Sequence, residues 1–230
     1  MVKARKQKSG HRQTATLLAF GNPAAGREPG LARGGNNLQL PEAAKEVNNL
    51  GQLYGRNESQ VFTGEAASEE QFKAAAGQYR VLHLATHGLL NNASPMYSQI
   101  ILALPQQSSK EDGTLEAWEI MQMELTAELV VLSACETARG RISGGEGVIG
   151  LSWALFVAGS PATVVSQWKI DSASTTELML GFHRQLKANP VAPLAAKAQA
   201  LQSAALQLLH SQQYRHPFYW AGFVVIGDGY

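Results

Sequence analysis

Short apolar runs alternate with amphipathic segments along most of the chain, and this alternation predicts its secondary structure. Runs rich in Val, Leu and Ile predict strands, and apolar residues at every third or fourth position predict helices. The predicted strands are residues 16–20, 60–63, 79–88, 129–132, 163–168 and 223–226. The predicted helices are residues 41–54, 68–76, 115–123, 148–158, 174–187 and 193–209. Such an order favours an α/β fold with a mostly parallel sheet and helices on both faces.

Two of the predicted strands end on reactive side chains. The apolar run from Leu129 to Leu132 is typical of a strand buried on both faces, and it is followed closely by Cys135, the only cysteine in the chain. The preceding strand of the same character ends at His87. In open α/β sheets, ligands bind outside the carboxyl ends of the strands. We therefore expect Cys135 and His87 to reach one edge of the sheet, in a pattern that suits a nucleophile and its base.

The sequence around these two residues resembles a known family. Residues 133–137 read Ser-Ala-Cys-Glu-Thr, residues 83–88 read His-Leu-Ala-Thr-His-Gly, and Cys135 follows His87 by 48 positions; caspases place their histidine about 50 residues before the cysteine. Both stretches resemble the CHAT-domain proteases, a caspase-like group that is also similar to separase. Residues 16–23, 166–171 and 216–223 resemble further segments of the family in the family's order. The resemblance implies a caspase-like, mostly parallel sheet with helices on both faces.

The resemblance also implies a function and its residues. The chain would be a cysteine endopeptidase that cleaves a protein substrate through an acyl-enzyme, with Cys135 as nucleophile and His87 as general base and then general acid. The backbone amides of Gly88 and Cys135 would form the oxyanion hole. No metal and no organic cofactor is expected.

A third stretch is expected to bind substrate. By resemblance, the segment with Ser166 and Trp168 pairs with the substrate backbone and walls the first pocket. Asp171 would favour Arg or Lys there through a charge-assisted hydrogen bond. It could equally cap the following helix, since Asp is strongly favoured at that position. In related domains, which often carry two acids here, the resemblance to separase implies that the later acid recognises arginine, whereas this chain has Ser172.

Other interpretations of these motifs compete with the protease. A free cysteine often serves as a small buried hydrophobe, and a catalytically silent CHAT-like regulatory or interaction module would keep the fold without turnover; the intact Cys–His pair argues against both. His83 lies inside its apolar run and is expected to make a structural hydrogen bond, and on a strand it would lie about 13 Å from His87, too far to share a metal. Residues 145–150 match Gly-x-Gly-x-x-Gly but lack the preceding strand of a dinucleotide site.

Composition limits the domain organisation and the partners. A chain of 230 residues predicts one globular domain, which we place at residues 14–230 behind a basic tail or linker at residues 1–13. Five of the 19 basic residues lie in the first 12 positions. The rest of the chain has 14 basic and 18 acidic residues, so its formal net charge is negative. A nucleic-acid surface on this domain is therefore not expected. With one cysteine and no apolar span of membrane length, we expect a cytoplasmic protein without a membrane partner.

Three further expectations concern partners and covering segments. CHAT domains are commonly joined to helical repeats that sense a partner, so the chain is expected to be an effector domain or a segment of a larger protein. Residues 91–125 are expected to cover the crevice. The Gly-rich stretch from Arg139 to Gly147 is expected to be a mobile latch beside the nucleophile.

Overall fold

The computed structural model describes residues 16–25, 39–105, 109–133, 146–188 and 196–229 of the chain, and the side chains of 146–149 are outside this description. Cys135, the basic tail at residues 1–13 and all but the last two residues of the Gly-rich stretch lie outside the described residues.

The main sheet has six strands, five of them parallel. In chain order they are β1 (Leu17–Pro23), β2 (Ser59–Gly64), β3 (Val81–Ala85), β7 (Leu129–Leu132), β8 (Ala162–Ser166) and β9 (Phe223–Gly227). Their spatial order is β2-β1-β3-β7-β8-β9, and only β9 runs antiparallel to its neighbour. The predicted α/β class with a mostly parallel sheet is confirmed.

Helices cover both faces of this sheet, as predicted. They are α1 (Pro41–Tyr54), α2 (Glu69–Ala75), α3 (Ala117–Ile120), α4 (Glu146–Ala158), α5 (Ser172–Ala188) and α6 (Lys197–His210). Because side chains alternate along a strand, each strand serves two cores. Val81 and Val131 pack under α1, α5 and α6, whereas Leu82 and Val130 pack under α2, α3 and α4.

The segment between the histidine strand and the cysteine strand forms a second, small sheet. Its strands are β4 (Gly88–Leu89), β5 (Gln99–Ile101) and β6 (Thr114–Glu116), all antiparallel. The prediction of a helix over residues 115–123 is therefore wrong at its start and its end. Leu115 pairs with Ile100 across the two strands, and this tertiary pairing outweighs the local helical pattern.

Two other helix predictions are corrected by tertiary contacts. The almost wholly apolar sequence of residues 148–158 predicts a buried helix, but Trp153 and Val157 are 58% and 46% exposed on one side of α4. α5 begins at Ser172 rather than Ser174. Ser174 and Glu177 have the spacing of a capping box, which predicts Ser174 as the N-cap. This prediction is wrong, since Ser174 lies inside the helix and donates its hydroxyl back to the carbonyl of Asp171.

Candidate active site

The register of the main sheet relates the two predicted catalytic positions. β3 and β7 are parallel neighbours, and Leu84 pairs with Leu132 at their carboxyl ends. The backbone amide of Ser133 continues this ladder by donating to the carbonyl of Leu84 over 3.0 Å. His87 and Cys135 each follow the Leu84–Leu132 pair by three positions. β3 and β7 thus end side by side at the same edge of the sheet.

The backbone around His87 is fixed by β5. The carbonyl of His87 accepts a hydrogen bond of 2.9 Å from the amide of Ile101. The hydroxyl of Thr86 donates to the carbonyl of Ile101. His87 itself is only 5% exposed. The inserted segment between β3 and β7 therefore holds the backbone at His87 in place through Ile101. The sequence predicts for this segment only a cover over the crevice.

The same contacts set the direction of the Gly88 amide. Because Ile101 donates to His87, the next pair along, Gly88 with Ile100, is a non-hydrogen-bonded pair of the antiparallel ladder. The backbone amides of such a pair point away from the partner strand. The N–H of Gly88 is thus directed away from β5, on the outer side of β4.

The predicted substrate-binding segment follows β8, the strand beside β7. Ser166 is the last residue of β8, is buried, and donates its hydroxyl to the carbonyl of Trp168. The Trp168 indole donates to the carbonyl of Phe218 over 3.2 Å. At Gly222, a Cβ would lie only 2.9 Å from the Trp168 ring, so glycine is needed for this contact. The closing segment of the chain therefore holds Trp168.

Asp171 makes the capping contact that the sequence left open. Its Oδ1 accepts a hydrogen bond of 3.0 Å from the amide of Ser174, and its carbonyl accepts from the amide of Thr175. These are the bonds of an N-cap residue of α5. The side chain is exposed, so capping with one carboxylate oxygen leaves it in contact with solvent.

A buried polar network lies under the same sheet edge, on the side of α1 and α5. Oε1 of Glu46 accepts hydrogen bonds from Nε2 of His83 at 2.7 Å and from the hydroxyl of Ser133 at 2.6 Å. His83 Nδ1 lies 3.1 Å from His183 Nε2, and His183 Nδ1 lies 3.0 Å from the hydroxyl of Tyr54. His83 has no solvent exposure and a partner on each ring nitrogen, which confirms its predicted structural role.

Burial shifts the pKa of two members of this network. Burial, and then the neighbouring His83, lower the pKa of His183 well below its usual value, so its ring is neutral. Burial raises the pKa of Tyr54, which keeps its hydroxyl protonated. Tyr54, His183, His83 and Glu46 thus form one continuous row of hydrogen bonds.

Sequence reasoning missed most of this network. Glu46 is 2% exposed although it is charged, and it lies on the apolar face of α1 with Ala43, Val47 and Leu50. His183 likewise is buried among apolar residues of its helix, since Phe182 and Leu186 of α5 are buried with it. An ionisable residue on the apolar face of a predicted helix is the signal that could have found it.

An acidic cluster lies apart from His87, beside a cavity of about 430 Å³ at the end of β2. Among the described residues, Glu69, Glu111 and Glu119 form the one group of carboxylates close enough to hold a metal ion. The Lys73 ammonium, however, lies 2.7, 2.5 and 2.8 Å from them, in that order. Its hydrogen bond lowers the pKa of Glu111. Lysine therefore supplies the cation here.

Comparisons with known proteins agree with this architecture. The sequence model of the family described as CHAT domain matches residues 2–228. Two curated relatives, the human and mouse proteins named tetratricopeptide repeat protein 28, are 26% and 24% identical over 220 and 225 residues. The match covers 82% of this chain in both cases but only 8% and 9% of those proteins. The chain thus spans less than a tenth of these relatives' length.

Solved structures show the same fold. The Arg-specific cysteine proteinase gingipain R matches with a TM-score of 0.56 at 11% identity, over 94% of this chain and 47% of that one. A complex of the Porphyromonas gingivalis RgpB pro- and mature domains gives a TM-score of 0.55 at 12% identity, over 94% and 48%. The Drosophila initiator caspase Dronc gives 0.46 at 10% identity, over 96% and 83%. The first two matches, both with TM-scores above 0.5, confirm that the chain has the cysteine-protease fold that the sequence predicts.

One further finding concerns membranes. Across the described parts of the chain, no helix is both long enough and apolar enough to cross a bilayer.

Proposed function

Given that the chain belongs to the CHAT domain family and has the fold of a caspase-like cysteine protease, we propose that it is a cysteine endopeptidase with Cys135 as nucleophile and His87 as its base. The observation that carries this proposal is the register of β3 and β7. Paired Leu84 and Leu132 precede His87 and Cys135 by the same number of residues at one sheet edge. A nucleophile and its base need such neighbouring positions.

The mechanism follows from the roles of these groups. His87 takes the proton of the Cys135 thiol, and the thiolate attacks the carbonyl carbon of the scissile peptide bond. The carbonyl oxygen becomes an oxyanion, which the amides of Gly88 and Cys135 stabilise. The outward direction of the Gly88 N–H supports this role.

Collapse of the intermediate breaks the C–N bond, and His87 gives its proton to the departing amine. Water then attacks the thioester while His87 takes one of its protons. A second oxyanion forms and collapses, the carbon–sulfur bond breaks, and the sulfur recovers its proton from His87. The new carboxyl terminus leaves and the enzyme returns to its starting state, with no metal or organic cofactor in any step.

Labelling by a peptidyl electrophile tests the dyad. A cysteine paired with histidine carries more thiolate at neutral pH than a free cysteine, whose pKa is about 8.5. We expect rapid labelling of Cys135, measured by mass spectrometry, and labelling slowed about 100-fold in His87→Ala. His210→Ala, which alters an exposed histidine at the end of α6, should label like the parent. Equal rates in the parent and His87→Ala would contradict the dyad, and an unreactive Cys135 would favour the silent regulatory module.

Substrate recognition is proposed for the segment after β8. Ser166 and Trp168 would line the cleft beside the cysteine strand, since β8 is the neighbour of β7. Asp171 would attract Arg or Lys at the cleavage site while it caps α5 with Oδ1. Gingipain R is an Arg-specific cysteine proteinase, and that specificity belongs to gingipain R. In this chain, the exposed carboxylate of Asp171 would favour the same residue.

Two variants of Asp171 separate capping from specificity. Asp171→Ser keeps a good N-cap oxygen and removes the charge, whereas Asp171→Ala removes both. We expect both variants to lose the preference for Arg and Lys in a peptide library. Only Asp171→Ala should lower the free energy of unfolding, by about 1 kcal/mol. An unchanged preference in Asp171→Ser would limit Asp171 to capping.

The wider setting is also a proposal. The names of the curated relatives support tetratricopeptide repeats as the sensor part of a larger protein around this domain. A single cysteine supports a reducing compartment, for which we propose the cytoplasm.

A further inference from the structure

From the buried network we infer that Glu46 is a positioning residue of the proposed peptidase: its carboxylate, through Ser133, holds the strand end that leads to Cys135 in register with the histidine strand. This inference rests on the proposed function. It concerns residues that lie behind the site, in the core between α1 and the sheet.

Four elements of the fold meet at the Glu46 carboxylate. Glu46 on α1 accepts from His83 on β3 and from Ser133 at the end of β7. Its second oxygen lies 3.4 Å from the hydroxyl of Thr176 on α5. One side chain thus ties together the strand that leads to His87, the strand that leads to Cys135, and the helices that cover them.

Two partners of Glu46 lie close in sequence to the two proposed catalytic residues. Ser133 is two residues before Cys135, and His83 is four residues before His87. Ser133 is held twice, by its amide on the Leu84 carbonyl and by its hydroxyl on Glu46. Hydrogen bonds of the β-ladder fix the register of a strand. A side-chain hydrogen bond also restrains the rotation of the strand about its own axis. A displacement of about 1 Å at reacting atoms can reduce a rate about 100-fold.

The network has an energetic cost. A buried carboxylate is expensive to desolvate, and replacing a whole buried ionic network by apolar residues is often neutral or stabilising, although removing one member alone is costly. Stability alone therefore does not require that this core contain the network. The row of hydrogen bonds from Tyr54 through His183 and His83 also ends on Glu46, so His83 and Ser133 together set the orientation of the carboxylate. We call Glu46 and the residues bonded to it directly or through this row, which are Tyr54, His83, Ser133, Thr176 and His183, the Glu46 hub. Such a hub suits the alignment of two strand ends.

Variants of Ser133 and Glu46 test this role. Ser133→Ala removes one hydrogen bond and keeps the charge balance of the core. Glu46→Gln keeps a carbonyl oxygen that can accept from His83 and Ser133, whereas Glu46→Leu removes the acceptor. Ser160→Ala is the matched control, because its hydroxyl is equally buried but bonds the Ala162 carbonyl at the opposite, amino end of β8.

The measurement is inactivation by a peptidyl electrophile, resolved into the maximal rate of Cys135 modification and the electrophile concentration at half-maximal rate, with melting temperatures in parallel. We expect Ser133→Ala and Glu46→Leu to lower the maximal rate at least about tenfold with an unchanged half-maximal concentration. Glu46→Gln should stay within about threefold of the parent, as rescue by the conservative variant. Ser160→Ala should leave both kinetic values unchanged even where its melting temperature falls.

The possible failures are distinguishable. If Ser133→Ala modifies at the parent's maximal rate, the positioning role is overturned and the peptidase proposal stands. If Ser160→Ala slows modification as much as Ser133→Ala, the effect follows general destabilisation and the positioning role is again overturned. If Cys135 of the folded parent reacts no faster than in the urea-unfolded parent, the peptidase itself is overturned together with the positioning role. Ser133→Ala keeps the test valid if Glu46→Leu does not fold.

Discussion

Replacing His87 by alanine is expected to lower the turnover number for peptide hydrolysis about 1,000-fold, because a general acid–base residue contributes about 100- to 10,000-fold. Cys135→Ala should abolish turnover, since no other thiol exists in the chain to form an acyl-enzyme. The measurement is steady-state cleavage of a peptide library, with the enzyme concentration set by titration.

The loss in His87→Ala should appear in the turnover number more than in the Michaelis constant, since the imidazole acts on protons in the transition state. His210→Ala again serves as the matched control. Turnover in Cys135→Ala equal to the parent's would contradict the proposed chemistry, whatever the effect of His87→Ala.

Replacing Glu46 by leucine is expected to lower the free energy of unfolding by about 3 kcal/mol. The substitution removes the shared acceptor of His83 and Ser133, and each buried donor left without a partner costs about 1 to 3 kcal/mol. Glu46→Gln keeps the acceptor and should cost about 1 kcal/mol, since it removes the charge but not the hydrogen bonds. Urea unfolding at neutral pH gives both values.

The control for this prediction is Glu42→Leu, one turn earlier on α1. Glu42 is half-exposed and pairs with the exposed Lys45, so its loss should change the free energy of unfolding by no more than about 0.5 kcal/mol. A Glu46→Leu variant as stable as Glu42→Leu would show that an apolar side chain satisfies this core, and the energetic description of the hub would be wrong.

Several elements could be predicted from the sequence because local signals decided them. The apolar run Leu129–Leu132 predicts β7 residue for residue, since polar sequence bounds it on both sides. α1 is predicted by its periodic apolar face and by proline at its first turn. The helix expected over residues 115–123 fails because Leu115 is captured by a strand partner 15 residues away, which no local pattern reveals.

The candidate site also has a part that the sequence predicts and a part that it does not. Motif and spacing predict His87 and Gly88 as site residues, and the place of His83 in an apolar run predicts that its ring makes structural hydrogen bonds. The partners of His83 could not be predicted. Glu46 lies 37 residues before it and His183 lies 100 residues after it, so only the packing of α1 and α5 on one face brings them together. Asp171 was ambiguous because capping and substrate binding use the same carboxylate.

The long separations within the Glu46 hub bear on how the protein is made. Glu46 leaves the ribosome 87 residues before Ser133 and 130 residues before Thr176. A chain that has just exposed Cys135 still lacks α5, and with it the Thr176 and His183 members of the hub. Contacts between such distant positions form slowly, because the loop-closure entropy must be lost before they stabilise the fold. Under the proposed function, the nucleophile is therefore aligned only after α5 has been synthesised, which delays proteolytic activity during translation.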